Sequence, residues 1–317
     1  MIVLLGSTGY VGSQFAAELE CRGWPFVGLS RSKVDYTRFD VLRNYLAKTR
    51  PEFVINAAGY TGKPNVDACE LRRAETLQGN TLFPAALAHA CEALDVPFGQ
   101  VSSGCIYNGA KVTADGQERV EPDLTAPGVR QVIDKHPEAV RGFTEEDEPN
   151  FTFRRPPCSF YSGTKALAEE SIHGMGRNYL WRLRIPFDRE DNPRNYLSKV
   201  QNYAKVYDNL NSLSHRSEFV QACLDLWANR APFGIYNLTN PGFISARRVI
   251  DLIREILKPN RAFDFWAGDD EFYRLGAKTP RSNCVLDASK ALAAGAKLRL
   301  VEDALRDSLE HWKRLAA

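Results

Sequence analysis

Three glycines at positions 6, 9 and 12, set directly behind a short apolar run, constrain this chain more than any other feature. The run is IVLL (2–5), and the turn Gly6-Ser-Thr-Gly9-Tyr-Val-Gly12 opens a helix-period stretch that ends near Gly23. The first glycine permits a tight turn, and the second lets backbone approach a pyrophosphate. The third lets helix pack closely on strand, while the helix N-terminus favours negative charge. A glycine pattern alone also fits a turn with no ligand. Its place between a strand and a helix makes it a dinucleotide cradle, with Gly6, Thr8, Gly9, Tyr10, Val11 and Gly12 around the ligand.

The alternation continues along the chain. FVGL (26–29), FVINAA (53–58), VPFGQV (96–101), LWRLRI (180–185) and IYNLT (235–239) read as strands, with SSGCIY prolonging the fourth into a strand-like run from Val96 to Tyr107. Helix-period stretches such as RFDVLRNYLAKT, LFPAALAHACEALD and SGTKALAEESIHG separate them. Strands alternating with helices of this length give βαβ units and a parallel sheet covered on both faces. The fold class is therefore α/β, a Rossmann-type doubly wound parallel sheet with a smaller, mostly helical C-terminal substrate domain. The rhythm changes after Pro186, which sets the expected division. Residues 1–185 with 212–240 form the nucleotide domain, and 186–211 with 241–317 form the substrate domain. Residues 108–141 have weak periodicity and several Pro and Gly, and read as a long loop.

Composition excludes several classes. With 41 basic against 39 acidic residues the chain has no one-sided field, so neither nucleic acid nor a membrane surface is an expected partner. The opening MIVLLG lacks the basic and long apolar regions of a secretory leader, and no apolar stretch reaches the ~18 residues of a membrane helix. Seven scattered cysteines without a CxxC pair fit reduced thiols in the cytoplasm, and the five isolated histidines give no metal site. Trp181, Trp227 and Trp266 read as packing residues.

Gly28-Leu-Ser30-Arg31-Ser-Lys33 closes the second strand without an acid for the ribose hydroxyls. A small residue followed by cations accommodates a 2′-phosphate, so NADP(H) is preferred and NAD(H) remains possible. The same cations also fit an ordinary solvated loop. Asp35 is placed at the end of a third short strand, where it can accept from the adenine amino group. Farther on, Ser159-Phe-Tyr161-Ser-Gly-Thr-Lys165 sets Tyr161 and Lys165 four apart on one helix face. A neighbouring ammonium favours the ionised form of a phenol, and lysine can also hold the nicotinamide ribose. In SSGCIY, Ser103 and Cys105 read either as strand-end filling or as two reactive groups aimed at one substrate.

These residues together resemble the extended short-chain dehydrogenase/reductase family, whose serine or threonine, tyrosine and lysine correspond to Ser103, Tyr161 and Lys165. The blocks NAAGYTGKPNVDACE (56–70), GCIY (104–107), GFTEEDEPNF (142–151), FYSGTKALAEE (160–170), NPRNYLSK (192–199), LTNPG (238–242) and PRSN (280–283) narrow the likeness. They are similar to the nucleotide-sugar 3,5-epimerase/4-reductases of rhamnose synthesis, which are related to the dTDP-4-dehydrorhamnose reductases. The resemblance implies that Asn56, Ala57, Ala58, Gly59 and Tyr60 pass beside the cofactor and that Asn80 braces the neighbouring strand. Asn65, Asn195 and Arg281, with Ser103, are candidates for contact with the sugar or its diphosphate, although Asn65, Asn195 and Arg281 equally fit capping or turn positions. The resemblance also gives Cys105 and Lys199 the exchange of the C3 and C5 protons, and implies a cytoplasmic homodimer. The segment 108–141 seems longer than the family's loop.

The function this implies is NADPH-dependent conversion of a nucleoside-diphosphate 4-keto-6-deoxyhexose to an NDP-L-rhamnose by 3,5-epimerisation and 4-reduction. The alternatives are a 4-keto sugar reductase served by a separate epimerase, and a non-catalytic NADP(H)-binding sensor, which has no need of the Tyr-Lys pair.

Overall fold

The apolar runs are rich in Val, Ile, Leu and Phe, side chains that pack on both faces of a pleated surface. The computed structural model describes residues 1–63, 65–114 and 116–314. In it β1 is Ile2–Leu5, followed by α1 (Tyr10–Cys21), β2 (Phe26–Leu29), α2 (Phe39–Thr49), β3 (Phe53–Asn56), α3 (Phe83–Ala93) and β4 (Phe98–Ser103). Next come β5 (Ala110–Ala114), β6 (Gln117–Glu121), α4 (Pro127–Lys135) and β7 (Val140–Arg141). The remaining principal elements are α5 (Phe160–Ile172), β8 (Asn178–Leu183), α6 (Tyr196–Asn202), α7 (Arg216–Ala228), β9 (Gly234–Asn237), α8 (Ala246–Leu257) and α9 (Val301–Glu310).

Six of these strands form one sheet in the order β9-β8-β4-β3-β1-β2, every neighbouring pair parallel. From β1 the chain steps to β2 on one side and then to β3 on the other. The carboxyl ends of β1 and β3 therefore flank the switch point at which open α/β sheets bind ligands. Gly6 and Ala57 follow directly on the paired residues Leu5 and Asn56 at that edge.

Side-chain alternation divides the core between the two sheet faces. Ile2, Leu4, Phe53, Ile55 and Trp181 pack with Phe15 and Leu19 of α1 and Phe219 of α7. Val3, Leu5 and Val54 pack on the other face with Leu42 and Leu46 of α2 and Leu87 of α3. A separate core joins Phe187, Leu197 and Val200 to Val249, Ile250 and Ile253 of α8 and to Leu305 of α9. It unites the chain just after β8 with the C-terminal helices. Residues 315–317, at the end of the expected substrate domain, lie outside the described residues.

Three expectations need correction. The segment 108–141 is a small antiparallel sheet in the order β6-β5-β7 with α4 packed into its connection, not a loop. The run Val96–Tyr107 is strand only over Phe98–Ser103, after which Gly104–Ile106 turn as a 3₁₀ helix. Asp35 ends no strand. It lies exposed in the turn before α2, where its carboxylate accepts from the Thr37 amide (3.3 Å) and hydroxyl (2.5 Å). This is an Asx-type turn, the local bonding that short acidic side chains prefer over a ladder.

Candidate active site

The glycine turn is built for a group that approaches backbone. A Cβ on Gly12 would lie 2.0 Å from the Gly6 carbonyl oxygen, and one on Gly6 would lie 2.7 Å from the Ala58 nitrogen. Gly6 also has φ 76°, a conformation that favours glycine. Gly9 donates its amide to the Gly6 carbonyl (2.9 Å) and stands at the N-cap of α1 without a side-chain cap. The first amides of a 12-residue helix are thus left for an anion, beside the exposed Thr8. This bare cradle at the sheet's switch point fits a dinucleotide. Ser30, Arg31 and Lys33 follow the end of β2 on the surface, and Ser30 Oγ is 2.9 Å from Ser32 Oγ.

Tyr10 and Val11 open α1, and the Tyr10 side chain turns away from the cradle. Its hydroxyl donates to Asp188 Oδ2 (3.0 Å), and the Arg216 guanidinium lies 4.4 Å from its ring centre. Its backbone and that of Val11 remain at the helix N-terminus.

Residues 56–60 shape the other wall. Asn56 Oδ1 accepts from the Ala58 amide (3.0 Å) and Asn56 Nδ2 donates to Gln100 Oε1 (2.7 Å), which bends the chain through Ala57 at the sheet edge. Asn80 Oδ1 accepts from the Tyr60 amide and Asn80 Nδ2 donates to the Tyr60 carbonyl, both at 2.8 Å. Asn80 itself sits in a π-helical turn, Gln78–Leu82, that points its amide inward. A Cβ on Gly59 would lie 3.6 Å from Lys165 Nζ, so this braced turn runs alongside the lysine ammonium.

Ser103, Cys105, Tyr161 and Lys165 converge. Ser103 ends β4 and its Oγ accepts from the Cys105 amide at 3.3 Å. The 3₁₀ turn that follows swings Cys105 into a buried cluster with Ile106, Phe143, Ala166 and Tyr161. Ser159 caps α5 by accepting from the Ser162 amide (3.1 Å), which fixes the first turn carrying Tyr161 and, one turn on, Lys165. Lys165 Nζ lies 6.0 Å from the Tyr161 ring centre, and Tyr161 packs against the cluster that holds Cys105.

Burial sets the resting charges here. It pushes the Tyr161 phenol well above its ordinary range, with Cys105 and Cys69 adding to the rise; Ser103 and the Arg184 charge act against it. The expected ionisation by a nearby ammonium is therefore outweighed, and the phenol is held protonated, the form that can donate. Burial likewise lowers the Lys165 ammonium, against Cys105 and Glu169, and raises the Cys105 thiol, against Ser103, Ser162, Arg184 and Lys165.

Lys199 comes from α6 and is joined to the others less directly. Burial lowers its ammonium, and the neighbouring Arg194 lowers it further. Arg194 Nη1 donates to Thr61 Oγ1 (2.9 Å) and to the Gly62 carbonyl (3.1 Å), so the NPRN loop is tied to the 56–70 segment. Arg281 pairs with Asp67, Nη1 to Oδ1 at 2.7 Å and Nη2 to Oδ2 at 2.8 Å, which spends its fork on a carboxylate. Asn65 is exposed nearby and its Oδ1 accepts from the Asp67 amide at 2.9 Å. Asn195 is a correction. It is completely buried as the N-cap of α6, with its amide donating to the Asp188 and Glu190 carbonyls and accepting from the Leu197 amide, so nothing of it is left for a sugar.

Two groups escaped the reading of the sequence. Arg184, just past β8, is buried, hydrogen-bonds Asn211 and the Ser282 carbonyl, and turns its charge on Cys105 and Tyr161. Arg182 and Glu169 form a buried ion pair (Nη2 to Oε2, 2.8 Å) behind β4, where Ser102 also donates to Glu169. The signal for both was two arginines inside the apolar run LWRLRI.

A doubly wound sheet, a bare glycine cradle and a serine-tyrosine-lysine set define a dinucleotide-dependent oxidoreductase of the extended short-chain dehydrogenase/reductase class. Within that class the chain belongs to the family described as RmlD substrate binding domain, whose model matches residues 1–314. The chain is similar to the bifunctional dTDP-4-dehydrorhamnose 3,5-epimerase/dTDP-4-dehydrorhamnose reductase of Arabidopsis thaliana, 30% identical over 96% of this chain and 90% of that relative. A trifunctional UDP-glucose 4,6-dehydratase/UDP-4-keto-6-deoxy-D-glucose 3,5-epimerase/UDP-4-keto-L-rhamnose-reductase of the same plant is also 30% identical, over 96% of this chain but 40% of its own length. The solved L780 UDP-rhamnose synthase of Acanthamoeba polyphaga mimivirus shares the fold, with a TM-score of 0.82 over 98% of both chains at 24% identity.

Proposed function

We propose that this protein converts a nucleoside-diphosphate 4-keto-6-deoxyhexose to the corresponding L-rhamnose nucleotide, inverting C3 and C5 and reducing C4 at one site. The observation that carries this reading is a buried thiol, Cys105, two residues beyond Ser103 and in one cluster with Tyr161. Reduction alone needs no thiol there. The similarity to an enzyme named for both activities over nearly its full length supports the same reading.

NADPH, when bound, supplies the hydride that reaches C4. The chain's own residues do the rest. Gly6, Gly9 and Gly12 leave room for the diphosphate, Ser30 and Arg31 face the adenosine end, and the turn 56–60 lies against the nicotinamide side. Ser103 donates to the C4 ketone oxygen and polarises it, Tyr161 passes its proton to that oxygen, and Lys165 orients Tyr161 and holds a ribose hydroxyl. For inversion the Cys105 thiolate removes the proton from the carbon beside the ketone. Lys199 returns a proton from the opposite face, leaving a thiol and a neutral amine that solvent resets. Its lowered ammonium suits it to donate. Arg281 and Asn65 lie toward the nucleotide diphosphate, where Arg281 would exchange Asp67 for phosphate.

Cys105→Ala is expected to abolish deuterium uptake from solvent at C3 and C5 while a pre-epimerised keto sugar is still reduced. Exchange at the wild-type rate in that variant would remove Cys105 from the reaction. The second reading, a reductase without epimerase activity, is favoured by the position of Lys199 on a separate element, next to Arg194. Product analysis by NMR with un-epimerised UDP- and dTDP-4-keto-6-deoxyglucose separates the two, since only the bifunctional enzyme yields the rhamnose nucleotide. A cytoplasmic homodimer completes the proposal. Exposed Leu71, Leu82, Phe153 and Leu167 support it, and sedimentation at the 35.6 kDa monomer mass would oppose it.

A further inference from the structure

Asp67 stands at the N-cap of the short helix Ala68–Leu71, where its residue type ordinarily accepts from a helix amide, yet its side chain caps nothing. The carboxylate is turned instead to Arg281, in the PRSN segment. Nη2 donates to Oδ2 at 2.8 Å, an aligned bond. Nη1 stands 2.7 Å from Oδ1 without that alignment, so both of these atoms are buried with no hydrogen-bond partner. The guanidinium fork is thus held by a single carboxylate and only half satisfied. The two side chains are 17% and 20% exposed, so the pair is open to a ligand from one side.

The backbone on both sides is anchored independently of the pair. Asn65 Oδ1 accepts from the Asp67 amide (2.9 Å), Thr279 Oγ1 donates to Glu70 Oε1 (2.9 Å), and the Tyr273 hydroxyl accepts from the Arg281 amide (3.3 Å). Glu70 Oε1 also accepts from the Phe160 amide (2.6 Å), at the start of the helix that carries Tyr161. Arg281 can therefore leave Asp67 by side-chain rotation alone, with the turn 67–70 still docked against α5.

We propose that Asp67 is a specificity-determining residue: an internal carboxylate that occupies the Arg281 fork in the free protein and yields it only to the paired phosphates of a nucleoside diphosphate. This rests on the reading of Arg281 as a diphosphate ligand. A carboxylate spreads one charge over two oxygens, whereas a diphosphate offers oxygens on two phosphorus atoms and can satisfy Nη1 and Nη2 together. A nucleoside without phosphates has nothing with which to displace Asp67. The same device weakens binding of the correct ligand, because the ion pair is broken each time. Removing the Asp67 charge therefore tightens nucleotide binding, the opposite sign from losing a residue that merely supports Arg281.

The test is calorimetric titration of the full chain with UDP and, separately, with uridine. Asp67→Asn keeps the size of the side chain and removes its charge. It is expected to bind UDP about fivefold more tightly than the wild-type protein, the scale of one partly screened ion pair, with uridine affinity the same in both. Asp67→Ser tests the same sign should the first variant fail to fold. Unchanged or weaker UDP binding in a folded variant overturns the proposal, and so does an equal tightening of uridine. Failure of the underlying reading looks different, because Arg281→Gln would then bind UDP as the wild-type protein does. A loss of UDP affinity in Arg281→Gln beside an unimproved Asp67→Asn keeps Arg281 at the phosphates and removes the role of Asp67 alone.

Discussion

Gly12 shows how one atom decides whether the cofactor cradle exists. The Cβ it lacks would stand 2.0 Å from the Gly6 carbonyl oxygen and 2.8 Å from the Gly6 carbonyl carbon, and both are backbone atoms that cannot rotate aside. Gly12→Ala must lift the start of α1 off the end of β1. The expected result is a loss of about 1–3 kcal/mol in urea unfolding, as for other overpacked sites, together with a clear weakening of NADPH binding in a fluorescence titration. Unchanged binding would mean that the turn is not the cradle. This contact was legible in the sequence because strand, glycine spacing and helix are all local to residues 2–23. Asn195 was not legible. Its residue type suits a sugar contact and an N-cap equally, and only burial beside the Asp188 and Glu190 carbonyls decides for the cap. Asp35 failed for a related reason, since a side chain that bonds its own turn leaves no mark on hydrophobic periodicity.

At the scale of elements, the geometry of the candidate site depends on how α5 is held against β4 and β8. Glu169 lies one turn beyond Lys165, and Arg182 on β8 bonds both of its carboxylate oxygens while Ser102, next to Ser103, donates to it. Arg182 also donates to the Tyr107 hydroxyl at 3.1 Å, and its guanidinium lies 5.2 Å from that ring's centre. The network therefore ties the helix of Tyr161 and Lys165 to the strand of Ser103. A buried pair contributes little net stability when intact, but removal of one partner strands the other charge. Arg182→Met is expected to cost about 3–5 kcal/mol in urea denaturation, and Arg182→Met with Glu169→Leu to recover much of it. A double variant no more stable than the single one would contradict this account. The strands of the main sheet were readable because they are buried on both faces. β6 was not, because QERVE is exposed along nearly its whole length and shows no alternation of apolar and polar residues.

On the scale of the whole molecule, the nucleotide-binding sheet and the C-terminal core meet through charged groups. Asp188 accepts from Tyr10, at the start of α1, and pairs with Arg216, at the start of α7, while Arg216 also reaches Glu190 (3.1 Å). Asp188, Glu190 and Arg216 line a cavity of about 230 Å³ together with His215, Arg299 and Asp307. His215 is buried there, its ring 5.4 Å from that of Phe187 and its Nδ1 3.5 Å from Glu218. Burial lowers its affinity for a proton, and the Glu218 carboxylate only partly opposes this because Arg299 and Asn240 share that carboxylate. The sign follows from linkage. With a folded value below the ordinary ~6.5, the unfolded chain binds the proton more readily, so His215 adds stability above about pH 6.5 that is lost as the pH falls toward its folded value. Carboxylates, with ordinary values near 4, change charge mainly below this window. The melting temperature is therefore expected to fall between pH 7.5 and 5.5, and the fall to be shallower in His215→Gln than in the wild-type protein. Parallel melting curves for the two proteins across that range would place the pH sensitivity elsewhere, and a steeper fall in the variant would mean that Glu218 outweighs burial and His215 is held protonated at the junction.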